Sequence, residues 1–598
     1  MTEGVHHADG PGDADATVVQ PISGRRPGQF RFAPALDRNA TAADLAALGG
    51  LNPLVEAANP ILAGVTQIRH AQRHPDPTGL RAKLRGQLEV FERAAQAAGV
   101  PEDRRFVARY ALCAVLDDAA AGTPWGGAWI NGGLVAELHG DKTGTDKFFA
   151  LLDPMLAQPR VYKDLLELFY ICLVLGYEGR YRGGEGGRLA LTQIRTRLHA
   201  IVAPGAAGGE LSARWRGAEM PLPRSWLARM RARLGLREGT SAADAYRPAT
   251  PEVSLLAKRF ADALGVMHRA RFVGSNGSRR SPTELPWYLF IGAPGSGKTT
   301  ALMHAGLRFP MGDVPGDATL HRVGGTSNCD WWLTDEAMLL DTAGRYTTDD
   351  LDTDRAAWLG LLDLLKLHRP RRPLHGVIVT LSVYDLLHWN DDEITRYAGQ
   401  VRDRLVELQA RLATRLPVYL VVSKADLLAG FNEFFAELDG EQRAQVWGVT
   451  FDRSEVHAEP GRLRQRFDEE FDVLERRLYA LLPARLQDER DLQRRGAVYR
   501  FPQQFRGVRP MIGTFLDAAF GAGWTGERPL LRGVYLSCGT QQGSPIDRVV
   551  ATLSRSFNLE RKVQPPNVGT GKTFFLRRLL REVIFGEAGI ADDGRDQS

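Results

Sequence analysis

The stretch Trp287-Tyr-Leu-Phe-Ile-Gly292-Ala-Pro-Gly295-Ser-Gly297-Lys298-Thr299-Thr300 decides how the rest of this chain is read. Trp287 to Ile291 is a continuous apolar run, as expected of a buried strand, and it leads directly into a G-x-x-x-x-G-K-[ST] pattern matched at every fixed position. This is the pattern of a phosphate-binding P-loop. Glycine is needed there because the backbone must turn tightly enough for its N–H groups to converge on phosphate oxygens, and a side chain would block the approach. Gly292, Gly295, Ser296, Gly297 and Thr300 would build the cradle, Lys298 would reach the β- and γ-phosphates, and Thr299 would place its hydroxyl on Mg²⁺. The helix predicted from Thr299 onward points its positive end at the same anion.

The chain has 598 residues, 44% hydrophobic and 25% charged, which is material for several domains with large cores. A net charge of +5 over that length is small, and no lysine-rich tract with interleaved aromatics occurs, so nucleic acid is not an expected partner. Cys113, Cys172, Cys329 and Cys538 lie far apart, which excludes C-x-x-C metal spacing and a dense disulfide framework and suits a reducing cytoplasm. The polar, acidic N-terminus is not a signal peptide, and no stretch reaches the roughly 18 apolar residues of a membrane span. A soluble chain is expected.

Residues 1–34 are rich in Gly, Asp, Pro and Arg without periodicity and read as disordered. From 35 to 218 apolar residues recur at three- and four-residue spacing, as in Leu80-Arg-Ala-Lys-Leu-Arg-Gly-Gln-Leu88, which predicts an all-α domain with its own core. Asp117 and Asp118 are adjacent acids with no convergent histidine, so a salt bridge or helix-end role is expected of them.

Several strings of this half carry a resemblance: Asn52-Pro-Leu, Asn59-Pro60, Tyr110-Ala-Leu-Cys-Ala-Val-Leu-Asp117-Asp118, Thr123-Pro-Trp125-Gly126, Lys147-Phe-Phe149 and Leu175-Gly-Tyr-Glu178-Gly-Arg-Tyr181. They resemble the cytoplasmic domain of the TssL (DotU, IcmH) proteins of type VI secretion. The resemblance implies a hooked helical bundle without catalysis.

Residues 219–284 read as linker and leading helices. Seven arginines and Glu219 lie between Arg214 and Arg237, with Trp215 and Trp226 among them. Composition alone fits either a solvated basic helix or a cytoplasmic membrane border. The TssL resemblance implies a transmembrane helix after Trp215, and none follows.

Beyond the P-loop, an apolar strand predicted at Ala337–Leu340 ends in Asp341-Thr-Ala-Gly344-Arg345. Asp341 occupies a Walker B position, where it would hold Mg²⁺ together with Thr299. The DTAG form is similar to that of Ras-like GTPases, which implies a backbone N–H from Gly344 for the γ-phosphate and a switch threonine, assigned here to Thr326. Arg345 stands where a fast enzyme of that kind carries glutamine, so slow hydrolysis is expected. Strands predicted at Gly376–Leu381, Pro417–Val422 and Gly533–Leu536 are β-branched runs suited to a parallel sheet. The second leads into Ser423-Lys424-Ala-Asp426, a weakened guanine-reading motif in which Lys424 would pack on the base and Asp426 would accept from it. Ser537, after the third, would supply a further base contact. Surface polarity at strand ends is the competing reading. In Ras-like sites the residue at position 423 ties this motif to the P-loop, and serine, too short to duplicate an asparagine amide, weakens the guanine reading. Between these strands, residues 430–530 read as helical, with ten arginines against eight acids over 461–500, a balance typical of solvated helix faces.

This half also resembles a family. Leu285-Pro-Trp-Tyr, the P-loop, Gly324-Gly-Thr326, Cys329-Asp-Trp-Trp332, Asp341-Thr-Ala-Gly-Arg-Tyr346, Trp447-Gly448, Phe501-Pro-Gln-Gln504 and Leu531-Arg-Gly-Val-Tyr535 are similar to the cytoplasmic portion of TssM (IcmF) proteins. Gly569-Thr-Gly-Lys572-Thr573 mimics a second P-loop, but no apolar strand precedes it, and it is read as a decoy. The ending from Phe574 looks like the approach to a further membrane helix.

The expected architecture is multidomain: an all-α bundle (35–218), then a Ras-like α/β P-loop NTPase core with a mostly parallel sheet (285–429), a helical subdomain (430–530), a last strand and base loop (531–546) and a helical extension (547–598). The resemblances imply a scaffold on the cytoplasmic side of the bacterial inner membrane whose two halves bind each other. They imply further membrane-complex and baseplate partners, oligomers in the intact complex, and Mg²⁺ with GTP or ATP in a regulatory site. The alternative is an enzyme whose hydrolysis drives a conformational cycle.

Overall fold

The computed structural model describes residues 52–590 except 130–131, 142–144, 204–209, 217–249, 270–271, 274–278, 281–284, 309–321, 324–328, 349–350, 453–461, 523, 525–526, 540–544 and 560–571. The predicted tail, most of the arginine-rich stretch, Thr326 and all of the second glycine-rich motif before Lys572 lie outside the described residues.

The first half is built from α1 (Pro53–His70), α2 (Pro77–Ala97), α3 (Glu102–Ala121), α4 (Leu134–His139), α5 (Thr145–Ala157), α6 (Lys163–Val174) and α7 (Glu185–Val202). Local chemistry sets the starts: Asn52 accepts from the N–H groups of Leu54 and Val55, Asp76 accepts from Gly79, and a proline follows each cap. Along α2 only the stripe Leu80, Leu84, Leu88, Phe91 and Ala95 is buried, whereas Leu165 to Val174 of α6 are buried all round, so α6 is a central helix. The paired acids are structural. The Asp117 carboxylate accepts from Trp129 Nε1 (2.7 Å) and the N–H groups of Leu134 (2.8 Å) and Val135 (2.9 Å), starting α4. Asp118 is clamped by Arg69 and Arg182, each at 2.6 Å.

The second half centres on a mixed sheet. Its strands are β1 (Trp287–Gly292), β2 (Arg322–Val323), β3 (Cys329–Leu333), β4 (Met338–Thr342), β5 (Gly376–Ser382), β6 (Pro417–Ser423), β7 (Trp447–Thr450) and β8 (Leu530–Leu536), in the spatial order β2-β3-β4-β1-β5-β6-β8-β7. The run β4-β1-β5-β6-β8 is parallel, and β2, β3 and β7 add antiparallel edges. The predicted strands are present within a residue or two, except that β8 begins at Leu530. Sequence reading passed over β3, and it took 430–530 as wholly helical although β7 lies inside it. Both are short strands, β3 next to one edge of the sheet and β7 at the other, whose side chains are buried on both faces, so neither shows alternation.

Helices α8 (Pro251–Arg269), α9 (Lys298–His304), α10 (Arg345–Thr348), α11 (Asp352–His368), α12 (Val383–His388) and α13 (Asp391–Leu412) accompany the sheet. The region between β6 and β8 contributes α14 (Phe431–Phe434), α15 (Gly440–Ala444), α16 (Arg462–Asp488), α17 (Leu492–Arg506) and α18 (Arg509–Phe520), and α19 (Arg548–Phe557) follows β8. Successive strand residues face opposite cores: Trp287, Leu289 and Ile291 join one, Tyr288 and Phe290 the other. The second core is completed by Leu576, Leu579, Leu580, Val583 and Ile584. The C-terminal segment therefore spends its apolar residues on the sheet, where Glu587 pairs with buried Arg532 and accepts from Tyr419 Oη. Among the described residues no helix is long and apolar enough to cross a membrane.

The two halves belong to one compact unit. Buried Asn59 of α1 accepts from Tyr499 Oη and from Gln503 Nε2 (3.3 Å) on α17, and Tyr170 Oη of α6 donates to the Pro483 carbonyl (2.8 Å) on α16.

Candidate functional site

Parallel α/β sheets bind ligands beyond the carboxyl ends of their strands. There β1 runs into the glycine-rich loop, β4 ends in Asp341-Thr342, β5 runs into α12, and β6 and β8 lead to Asp426 and Ser537.

The loop from Ala293 to Gly297 has the backbone its glycines require. Gly295 (φ +73°) and Gly297 (φ +85°) lie in the left-handed region, and a Cβ on Gly292 would fall 2.1 Å from Thr380 Oγ1. Ala293 N–H donates to Tyr397 Oη (2.9 Å), and Ser296 Oγ meets Thr380 Oγ1 (2.9 Å), so residues of α13 and β5 brace the loop from outside. Thr300 is half-buried in the first turn of α9.

Lys298 folds back into this loop, its ammonium donating to the carbonyls of Gly292 (2.7 Å) and Ala293 (3.0 Å). Burial pulls it down to about 8, against Asp341 and Asp385, which favour the charged form. Thr299 Oγ1 donates to Asp341 Oδ2, so the two oxygen ligands expected for Mg²⁺ already share one point.

At the other end, Ser423 Oγ donates to the Ser296 carbonyl at 2.6 Å, so the single hydroxyl ties this strand end to the loop without duplicating an asparagine amide. A hydroxyl on a fully buried strand end suffices because β6 ends close against the loop: a Cβ on Gly297 would lie 3.5 Å from Ser423 Oγ. Lys424 adopts φ +58°, unusual for a bulky residue, with its ammonium 5.8 Å from the Tyr384 ring. Asp426 is 2% exposed, and its Oδ1 finds no hydrogen-bond partner among the described residues. Burial pushes its carboxyl up to about 6, opposed by the Cys538 thiol, its own backbone N–H and Lys424. Ser537 is buried beside it, its carbonyl accepting from Ala425 N–H (3.1 Å). The Cys538 N–H is bonded to the Phe574 carbonyl (3.1 Å).

Gly344 lies against the loop, since a Cβ there would fall 2.2 Å from Pro294 N. Arg345 turns away to Glu252 on α8 (2.5 Å) and Asp354 on α11 (2.9 Å). Thus Lys298, Thr299, Asp341 and Gly344 converge on the glycine loop, and Lys424, Asp426 and Ser537 converge at the neighbouring strand ends.

Asp385 was missed. It lies one turn past β5, and burial pushes it up to about 6 against the charges of Lys424 and Lys298. The signal was available: a lone acid just beyond the carboxyl end of a predicted strand, the kind of position that singled out Asp341.

Comparison with known proteins finds two family matches. The family described as type VI secretion system protein DotU matches residues 53–236, and the IcmF-related N-terminal domain matches residues 352–598, beginning after β4. The type VI secretion system component TssM1 of Pseudomonas aeruginosa is 50% identical over 353 residues, 58% of this chain and 32% of that protein, so the chain spans about a third of its relative's length. Among solved structures, TssL from Vibrio cholerae is 29% identical and covers 26% of this chain and 98% of its own, with a TM-score of 0.24. The cytoplasmic domain of TssL from Acinetobacter baumannii is 23% identical, covers 25% and 99%, and has a TM-score of 0.24. The chain carries a region matching the TssL (DotU) family and a region matching the TssM (IcmF-related) family of type VI secretion. In particular, it is a TssL–TssM fusion, a DotU domain joined in one polypeptide to an IcmF-related region.

Proposed function

We propose that the TssM-like half is a P-loop NTPase domain of Ras-like layout that binds a nucleoside triphosphate with Mg²⁺, and that the chain is a scaffold on the cytoplasmic side of the inner membrane with this site as its regulator. The observation that carries the reading is the convergence of Lys298, Thr299 and Asp341 on a strand–glycine loop–helix, with the unpartnered Oδ1 of Asp426 at the next strand end but one. A buried acceptor left unmade costs about 1–3 kcal/mol, and a base N–H would satisfy it. Thr299 and Asp341 would hold Mg²⁺, an oxygen-seeking ion that binds through one or two protein ligands plus phosphates and would neutralise charge on the β- and γ-oxygens.

Lys298 would leave the loop carbonyls for the phosphates. Tyr397, Thr380 and Ser423 hold the loop in shape around them. Arg345, committed to Glu252 and Asp354, is not in position to orient an attacking water, which favours a regulatory site over an energising enzyme. The partners proposed are other membrane-complex and baseplate proteins of the secretion system, in an oligomeric assembly.

Calorimetry with Mg²⁺–GTP and Mg²⁺–ATP on the unmodified chain and on Lys298→Ala tests the reading. Loss of one charge-assisted contact, about 1.5–3 kcal/mol, should weaken binding roughly 10- to 100-fold. Equal affinity in the variant overturns the assignment.

A further inference from the structure

Two struts join the TssL-like half to the segment that carries Asp426. The first is α19. At its N-terminal end Ile546 forms a parallel bridge with Leu428: Ile546 N–H donates to the Leu427 carbonyl (2.7 Å), and Ala429 N–H donates to the Ile546 carbonyl (3.4 Å). At its C-terminal end the helix is gripped by the TssL-like half. The Phe557 carbonyl accepts from His74 Nε2 (2.9 Å), the Ser556 carbonyl accepts from Lys83 Nζ (2.8 Å), and the Phe557 ring packs over Gly64 of α1. Ten residues at 1.5 Å each make a rod about 15 Å long between the base motif and α1.

The second strut is α17. A Cβ on Gly430, four residues past Asp426, would fall 2.3 Å from the Ala497 carbonyl, and one on Gly496 would fall 2.6 Å from Thr66 Oγ1 of α1. The two struts are locked together by charge. Asp547 caps α19 by accepting from Val550 N–H (2.7 Å), accepts from Gln504 Nε2 and pairs with Arg500 (3.3 Å); Arg500, 3% exposed, donates to Thr66 Oγ1 (3.1 Å).

We propose that the TssL-like domain is the effector of the nucleotide site, with α19 and α17 as the elements that carry occupancy of Asp426 to α1. The proposal rests on the nucleotide-binding reading above. A base that fills the vacant acceptor fixes Ala425–Leu427, and close-packed helices that contact both this segment and α1 pass on a shift instead of absorbing it. Binding couplings are reciprocal, so a change at Thr66 must alter nucleotide affinity by the factor with which nucleotide alters the contact at Thr66.

The test uses the full chain. Binding of Mg²⁺–GTP, with Mg²⁺–ATP in parallel, is measured by calorimetry, and amide hydrogen exchange is followed with and without saturating nucleotide. Exchange across both Arg548–Phe557 and Pro53–His70 should slow about fivefold or more, Thr66→Val should change affinity by a similar factor, and Thr66→Ser, which keeps the hydroxyl, should not. Nucleotide binding with exchange in Pro53–His70 unchanged overturns this inference and leaves the binding site standing. Absence of binding to either nucleotide overturns both. If Thr66→Val does not fold, exchange in the unmodified chain decides alone.

Discussion

Ser423 Oγ lies 2.6 Å from the Ser296 carbonyl and donates to it, bridging 127 residues of sequence to tie the end of β6 to the glycine-rich loop. The glycine loop is thereby set relative to the strand end that leads to Asp426. Ser423→Ala removes the donor and leaves a buried carbonyl short of a partner, at a cost of about 1–3 kcal/mol. Triphosphate affinity should fall about tenfold with the chain still folded, and an unchanged dissociation constant would show the tie to be idle.

Lys298 should take up a proton when a triphosphate binds. In the free site burial pulls its ammonium down to about 8, so near pH 8 it is roughly half charged, and phosphate oxygens would favour the charged form. Calorimetry at pH 8 in buffers of different ionisation heat should report uptake of about half a proton, vanishing by pH 6.5 and in Lys298→Ala. Zero uptake at pH 8 contradicts the assignment of Lys298 to the phosphates.

Base preference should depend on pH through Asp426. Only the ionised carboxylate accepts from both the ring N–H and the exocyclic amine of guanine, and burial has pushed this carboxyl up to about 6. A modest preference for GTP over ATP is expected at pH 7.5, shrinking as pH falls below 6, and absent at all pH values in Asp426→Ala while phosphate binding persists. A preference that is flat with pH, or one for ATP, reduces Asp426 to a buried strand-end acid.

Hydrolysis should be slow. With Arg345 paired to Glu252 and Asp354, the position after the DTAG glycine does not orient water. Steady-state turnover by the chain alone should fall well below the roughly 1–100 s⁻¹ of kinases. A rate inside that range would reveal a water-positioning group elsewhere.

Glu475 should make the protein more stable in mild acid. Burial pushes its carboxyl from 4.5 up to about 7, against Arg506, so between those values the folded state holds more protons than the unfolded one and stability falls as pH rises. Its contribution is fully present below 4.5 and lost by about pH 7. Glu475→Gln should raise Tm at pH 8 and flatten the dependence between pH 4.5 and 7. An unchanged slope in that variant would assign the dependence to other groups, Asp385 and Asp426 first.

The sequence by itself determined what is contiguous in the chain. The run Trp287–Thr300 announces strand, loop and helix because an apolar run, glycines that allow a tight turn and a helix-forming stretch follow one another in the chain. The apolar runs of β5 and β6 announce buried strands because both of their faces meet protein. Helical spacing likewise announced the TssL-like bundle, and the motifs along both halves announced the families. Only the tertiary structure decided the relations between segments far apart in sequence: that Ser423 reaches Ser296, that Asp385 faces Lys298 and Lys424, that Arg345 is drawn off by Glu252, and that β7 returns to the sheet edge from inside a helical region. The same holds for the packing of α1 on α17 and α19, where Asn59, Thr66 and Gly64 are buried by residues more than 400 positions away. Local periodicity records which face of an element is covered, and the covering partner is chosen by how the layers close on one another.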